Sequence, residues 1–356
     1  MKAALIGLIQ SGKSTIMSAI SGKGLPQAGG INIEEAIVSV PDERLDWLAG
    51  IYKPKKLVHG TIDCLDVPGF NFADEAGRNA ARRSISKIRS VDMLVYVLRA
   101  FDNPDVQVYK NKIDAKRDLE ELKTELLLAD LELVSTRIEN LEKQMNKPTK
   151  TQGKDKAELE LQLKLQECIE AEKPLSTVLK TDAELEMVKS LGFLTLKPMV
   201  VLVNVGEDGL DEKFDFGDML ETETPVIEFC AKLELELSQL DKESKVEFMS
   251  DLGIKESAIS KFVRSCYSAM GMISFLTVGP DEVRAWPIQA GTSALEAAGK
   301  IHSDIKRGFI RAEKFTYGDL RELGDEKAVK ADGRFRLEGK EYIVGDGDIL
   351  NFRFNV

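Results

Sequence analysis

The sequence predicts an α/β fold, a mostly parallel sheet covered by helices, interrupted by an inserted helical hairpin and followed by a small α+β domain. Three observations carry this. Five short apolar runs recur between helical segments, the pattern of strands buried on both faces. The interval between the third and fourth runs is far too long for one crossover and has a leucine-striped, helical texture. The last eighty or so residues break into short segments punctuated by turns. A chain of 356 residues also exceeds one compact core and suits two or three domains.

Taken in order, Ala3 to Ile9 reads as a buried strand, followed by a glycine-containing turn and a helix from Ser14 to Ile20. Thr61–Val67, Met93–Leu98, Met199–Val203 and Val226–Phe229 supply the other strands. Within the interval 111–195, Leu119, Leu122, Leu126, Ala129 and Leu133 recur at three- and four-residue steps and mark one helical face. Ile138, Leu141 and Met145 extend the stripe after a phase shift. The polar run Asn146 to Lys156, with Pro148 and Gly153, reads as a hairpin loop. Ala157 to Ala171 then returns as a second helix. Leu159, Leu161, Leu163 and Leu165 alternate as in a strand, but the intervening Glu, Gln and Lys favour helix. Further helices run through about Met272. Beyond them come Arg284–Ile288, Phe309–Ala312 and Tyr342–Val344, with a turn at Gly345-Asp346-Gly347-Asp348. The expected domains are 1–110 with 196–273, the arm 111–195, and a C-terminal domain 274–356.

Composition excludes several classes. A net charge of -11 gives no global attraction to nucleic acid or anionic lipid, so any RNA contact needs a local basic patch. Cys64, Cys168, Cys230 and Cys266 form no CxxC pair, which argues against a zinc site or disulfide framework and fits reduced thiols in the cytoplasm. The apolar start is short and lacks a cleavage pattern, so a first strand explains it better than a leader. No stretch is long and apolar enough to span a membrane. With only His59 and His302, histidine-centred catalysis starts from a weak position.

The chemistry is concentrated in three strand ends. Gly7-Leu-Ile-Gln-Ser-Gly12-Lys13-Ser14 fits G-x-x-x-x-G-K-[ST], placed after a strand and before a helix. Loop amides and the helix N-terminus surround a β-phosphate, which makes Gln10, Ser11, Gly12, Lys13, Ser14 and Thr15 nucleotide-binding residues. Gly12 leaves room for the phosphate, Lys13 reaches the β/γ oxygens and the Ser14 hydroxyl ligates Mg²⁺. The ligand is ATP or GTP, with Mg²⁺ as cofactor. Asp66-Val67-Pro68-Gly69 ends the second strand; Asp66 can hold the metal through water, and the Gly69 amide can sense the γ-phosphate. An ordinary strand-ending turn is the default for such a tetrapeptide, and its place downstream of a P-loop raises it above that. Asn204-Val205-Gly206-Glu207 stands where GTPases carry Asn-Lys-x-Asp, and Ala231-Lys232, after Cys230, would cap the base through its backbone. Lys13, Asp66 and Gly69 are the catalytic candidates. Ser14 and Asp66 are the metal candidates, and Asn204, Val205, Glu207, Ala231 and Lys232 line the base side.

The ordered set resembles the YchF/Obg-like ATPase family of P-loop proteins. The carrying residues include Val40-Pro41-Asp42-Glu43-Arg44-Leu45-Asp46, Glu125–Asp130, Asn204–Glu207, Ala231–Glu234, Gly279–Trp286, Ala298–Asp304, Gly308–Glu313 and Phe352–Val356. The resemblance spans essentially the whole chain. It implies a G domain, an inserted coiled-coil arm and a C-terminal TGS domain of β-grasp type, relaxed base choice linked to Asn-x-x-Glu, and association with ribosomes or RNA. It also implies a hydrophobic residue after D-x-x-G in place of a catalytic glutamine, and Phe70 stands there. The chain departs from the family in three places. Ile9, Gln10 and Ser11 replace Pro-Asn-Val in the P-loop. The stretch Gly24 to Glu35 has no switch I threonine. Asn71 to Arg83 replaces a glycine-rich switch II, which marks a divergent paralogue.

Two readings follow: a slow ATP/GTP-hydrolysing switch that contacts ribosome or RNA through the arm and C-terminal domain, or a nucleotide-binding interaction module with little hydrolysis. A small-molecule kinase would explain the P-loop but not the C-terminal third. Arg284, Lys306, Arg307, Arg311 and Lys314 cluster in the C-terminal sequence, as an RNA patch or as scattered surface charge. A cytoplasmic monomer without membrane contact is the expected state.

Overall fold

The computed structural model describes residues 1–22, 33–145 and 152–355. In chain order these form β1 (Lys2–Ile6), α1 (Lys13–Ser21), β2 (Glu34–Ser39), α2 (Glu43–Tyr52), β3 (Lys56–Val58), β4 (Thr61–Asp66), α3 (Glu75–Lys87) and β5 (Met93–Ala100). The arm and the rest of the nucleotide region follow as α4 (Ala115–Met145), α5 (Gln152–Glu170), α6 (Asp182–Val188), β6 (Met199–Val205), β7 (Val226–Phe229), α7 (Ala231–Gln239), α8 (Lys242–Asp251) and α9 (Ala258–Ala269). The C-terminal part comprises β8 (Met272–Thr277), β9 (Glu282–Gln289), α10 (Ala294–Ile301), α11 (Ser303–Arg307), β10 (Phe309–Thr316), α12 (Tyr317–Leu323), α13 (Glu326–Ala331), β11 (Arg336–Glu338) and β12 (Asp348–Phe354). No helix among the described residues is long and apolar enough to cross a membrane.

The chain divides into two compact units, Met1–Ala36 with Cys64–Ile259, and Ile37–Asp63 with Ser260–Val356. The first carries a six-stranded sheet in the order β2-β4-β1-β5-β6-β7. The pairs β1–β5, β5–β6 and β6–β7 are parallel, as near-continuous apolar strands require when both faces are covered. All five strands expected from apolar runs are present. β2 was not expected: it is an edge strand that buries only Ala36 and Val38, so it lacks the apolar run that marks the others.

The arm is an antiparallel pair. Leu119, Leu122 and Leu126 at the base of α4 join the core under the sheet, while Val134 and Ile138 pack with Leu161, Leu165 and Cys168 of α5 in a separate core. The alternating leucines 159–165 are thus helical. Residues 146–151 of the expected hairpin loop lie outside the described residues, and Gly153 to Lys156 belong to α5 rather than to the loop. The arm is tied down by Asp130, which is fully buried on the Leu122, Leu126, Val134 and Ile138 face, one residue past the expected Ala129 and Leu133, which are half-buried. Its carboxylate accepts from Arg89 at 2.6 Å, from the Leu194 and Thr195 amides at 3.2 and 2.9 Å, and from the Thr195 hydroxyl at 2.8 Å. A buried charge survives only when it is paired and its lone pairs are occupied in this way.

The second unit holds a mixed sheet in the order β11-β10-β12-β8-β9-β3, with β12–β8 and β3–β9 parallel and β10–β12 and β8–β9 antiparallel. Ala294, Ala297 and Ala298 of α10 pack with Phe275, Phe309 and Phe352, and Leu45 and Leu48 of α2 pack with Leu276, Val283 and Phe315. Residues 37–63, assigned from sequence to the nucleotide domain, therefore group with the C-terminal residues. Arg44 explains the placement. It donates to Asp42, the N-cap of its own helix, and to Asp346 at 2.8 Å, and Asp346 in turn accepts from the Ser274 amide at 2.9 Å. The segment Tyr342–Val344 is not a strand; Ile343 makes one isolated bridge to Ser293.

Candidate nucleotide site

The site grows from the end of β1. The loop after Ile6 passes through Gln10 at φ 60 and Gly12 at φ 91, both left-handed, before α1 starts at Lys13. A Cβ on Gly12 would collide with the side-chain amide of Asn204, so the position demands glycine for space as well as for φ. Lys13 is 6% exposed. Its ammonium donates to the Gly7 and Leu8 carbonyls, both at 3.1 Å, and to the Ser11 hydroxyl at 3.3 Å. Burial pulls its pKa down to about 8, against the opposing attraction of Asp66. The lysine thus sits folded under its own loop with three oxygen partners, which phosphate oxygens can replace.

Ser14 donates its hydroxyl to the Asp66 carboxylate at 2.9 Å. Asp66 is 8% exposed. Burial pushes its pKa up, and Glu34 adds to that, while the Ser14 hydrogen bond and the Lys13 charge pull it back. The segment after Asp66 zips onto the P-loop. The Phe70 amide donates to the Gly7 carbonyl at 3.0 Å, and the Ile9 amide to the Phe70 carbonyl at 2.9 Å. A Cβ on Gly69 would stand 2.8 Å from the Ile9 Cα, so this close approach also needs glycine. The Phe70 ring is buried in the core beside Phe72, which leaves no side chain at that position to orient water.

On the other side, the Asn204 side chain links two loops. It donates to the Ser11 carbonyl at 3.0 Å and accepts from the Ala231 amide at 3.2 Å. Val205 turns into the core. Glu207 and Lys232 pair at 2.8 Å with exposures of 58% and 73%. Gln10 is exposed and Thr15 half-buried. The structure therefore brings Lys13, Ser14 and Asp66 together, sets Gly69 against Ile9, and leaves Glu207 and Lys232 as an outer pair. Residues 23–32, most of the stretch expected to lack a switch I threonine, lie outside the described residues.

Phe101 and Arg99 were not among the expected site residues. The Phe101 ring comes within 3.7 Å of the space a Gly12 Cβ would occupy, and the buried Arg99 guanidinium stacks on that ring at 4.5 Å. An arginine inside the otherwise apolar run of β5 is the signal that could have found them.

A serine hydroxyl and a carboxylate are hard oxygen donors of the kind Mg²⁺ takes alongside phosphate oxygens. Among the described residues no group of three or more His, Cys, Asp or Glu gathers to form an all-protein cage. Ser14 and Asp66 would suit a metal that arrives with the nucleotide. In the second unit, Lys306, Arg307 and Lys314 of the expected basic cluster are paired with Glu296, Asp304 and Asp348, and Arg284 lies over Trp286 at 4.0 Å.

Comparison with known proteins places the chain in a family. Residues 2–134 match the 50S ribosome-binding GTPase family, and residues 272–355 match the C-terminal domain family of YchF-type GTPases, described as of unknown function. The chain is 38% identical to the ribosome-binding ATPase YchF of Bacillus subtilis, covering 100% of both chains. It is 38% identical to Obg-like ATPase 1 of Oryza sativa subsp. japonica, covering 100% of this chain and 92% of that one. The solved structure of the Schizosaccharomyces pombe YchF GTPase superposes with a TM-score of 0.86 at 32% identity, over 99% of this chain and 97% of that one. With full-length identity above a third to curated relatives, the chain belongs to the YchF/Obg-like ATPase family of P-loop proteins.

Proposed function

We propose that this protein is a slow P-loop nucleoside triphosphatase of the cytoplasm that binds ATP or GTP and acts as a ribosome-associated switch. The observation that carries the reading is the convergence of Lys13, Ser14 and Asp66 on one glycine-walled loop. On binding, the Lys13 ammonium exchanges its loop carbonyls for β/γ oxygens and offsets the charge that builds as water attacks the γ-phosphorus and the bond to the β–γ bridging oxygen breaks. Ser14 and Asp66 would hold the nucleotide's Mg²⁺, which when bound would neutralise phosphate charge. The Gly69 amide would meet the γ-phosphate. With Phe70 buried, no side chain after Gly69 positions the attacking water, and slow turnover follows. On the base side, Val205 is buried and Glu207 is already paired, which supports relaxed discrimination between adenine and guanine. The family names of the relatives support the ribosome as partner.

Single-turnover hydrolysis of ATP and GTP, with and without ribosomes, tests this. The expected result is slow hydrolysis that a Lys13→Ala variant lacks. Turnover no faster than that variant would leave a binding module without catalysis.

A further inference from the structure

We propose that the outward face of α3 docks the phosphate backbone of RNA. This inference rests on the ribosome-associated reading and names the surface that serves it. Only Ala81 and Ile85 of α3 are buried. Asn79, Arg82, Arg83, Ser86 and Lys87 are exposed, and at 100° per residue they fall within an arc of about 140° that also takes in the exposed Glu75 and Ala76 of the first turn. The helix carries four cations, Arg78, Arg82, Arg83 and Lys87, against one acid, Glu75, in a chain whose net charge is -11. Among the described residues no ion pair engages Arg82, Arg83 or Lys87, in contrast to the paired lysines and arginine of the second unit. Ser86 turns its hydroxyl onto the Arg83 carbonyl at 2.9 Å, so the three cations dominate the face.

The chemistry of the face selects the partner. It shows no exposed apolar side chain larger than alanine. Protein interfaces draw most of their affinity from aromatic or arginine side chains seated in well-packed, desolvated pockets, and this face shows no aromatic side chain, whereas a phosphate backbone is held by exposed charge and guanidinium forks. The face is also held rigid at both ends, which lowers the cost of ordering it on binding. At its start Asp74 caps the helix through the Gly77 amide at 2.7 Å and accepts from Asn71 at 2.8 Å, while Arg78 donates to the Phe72 carbonyl at 2.9 Å. At its end Arg89 is locked to buried Asp130 and to the Ala129 carbonyl at 2.8 Å.

The test uses the full chain and its R82Q/R83Q/K87Q variant, with a short A-form RNA duplex and purified ribosomes as probes across a salt series. All three side chains are solvent-exposed, and among the described residues no hydrogen bond or ion pair joins them to Lys13, Ser14, Asp66 or Asn204; because Arg82 and Arg83 close the stretch that replaces switch II, triphosphate affinity is measured on the same variant. The variant is expected to bind RNA about 10- to 100-fold more weakly, with a log–log salt slope shallower by about 2 to 3, and to bind triphosphate as the parent does. An R82K/R83K variant should keep the parent slope. If the parent binds ribosomes and the triple variant matches it in affinity and slope, α3 is not the docking face, while the ribosome reading stands. If the parent binds neither probe, both fail. Parent binding to polyglutamate in preference to RNA would assign the face to an acidic protein and overturn the proposal.

Discussion

The P-loop end and the proposed base end of the site are built on opposite terms. At the phosphate end Lys13 and Asp66 are almost fully buried, both have perturbed pKa values, and two glycines permit backbone approaches that no side chain could share. At the base end the charged pair Glu207–Lys232 stands mostly in water. A buried, over-determined loop makes each residue costly to change, whereas an exposed pair is screened and cheap. The phosphate grip is therefore the fixed part of this protein, and base choice is the part that can drift.

Four measurements would break or sharpen that contrast. The largest effect belongs to Gly12→Ala. The new methyl needs a left-handed backbone and displaces the Asn204 amide that links Ser11 to Ala231. Triphosphate affinity by calorimetry should fall by about 1000-fold or more, since strain of about 1–3 kcal/mol adds to the lost Asn204 contacts. Near-parental affinity would mean that the loop is not the binding surface. Lys13→Ala comes next. Loss of a charge-assisted contact predicts about 10- to 100-fold weaker binding and hydrolysis at background.

The third effect is on pH. Phosphate binding requires the charged ammonium, and in the free protein burial holds Lys13 at about 8. Affinity for a non-hydrolysable triphosphate is then full below that value and falls as pH rises through it, by about tenfold between pH 7 and 9. A flat profile over this range would show that Lys13 stays charged in the free protein. The smallest effect is Lys232→Ala, where release of an exposed pair should change ATP affinity by at most about fivefold. The ATP-to-GTP ratio in competition binding is the quantity to watch. A change of 100-fold would show the base end to be as constrained as the phosphate end.

Much of this was legible in the sequence because it is written at short range. The Gly7–Ser14 spacing, the apolar runs of the parallel strands and the three- and four-residue leucine steps of α4 are all local patterns. β2 escaped because an edge strand needs no continuous apolar run. The start of α5 was misplaced because Gly153 and its polar neighbours carry the composition of a loop, yet α5 continues through them. Phe101 and Arg99 were missed because nothing local says that the end of β5 reaches Gly12.

By itself, the sequence determined that a phosphate loop follows a first buried strand, and that a helical arm and a small α+β region accompany it. Those features depend on residue type and on neighbours within one turn or one strand. Tertiary structure alone decided that Asn204 would hold a loop 193 residues earlier, that Arg44 would reach Asp346 across 302 residues, and that residues 37–63 would join the C-terminal unit. It also decided that Lys13 would be buried among carbonyls and that, among the described residues, no acid would pair with Arg82, Arg83 or Lys87 of α3. Burial and partner choice at such separations follow from which surfaces the packed chain brings together, and no periodicity records that.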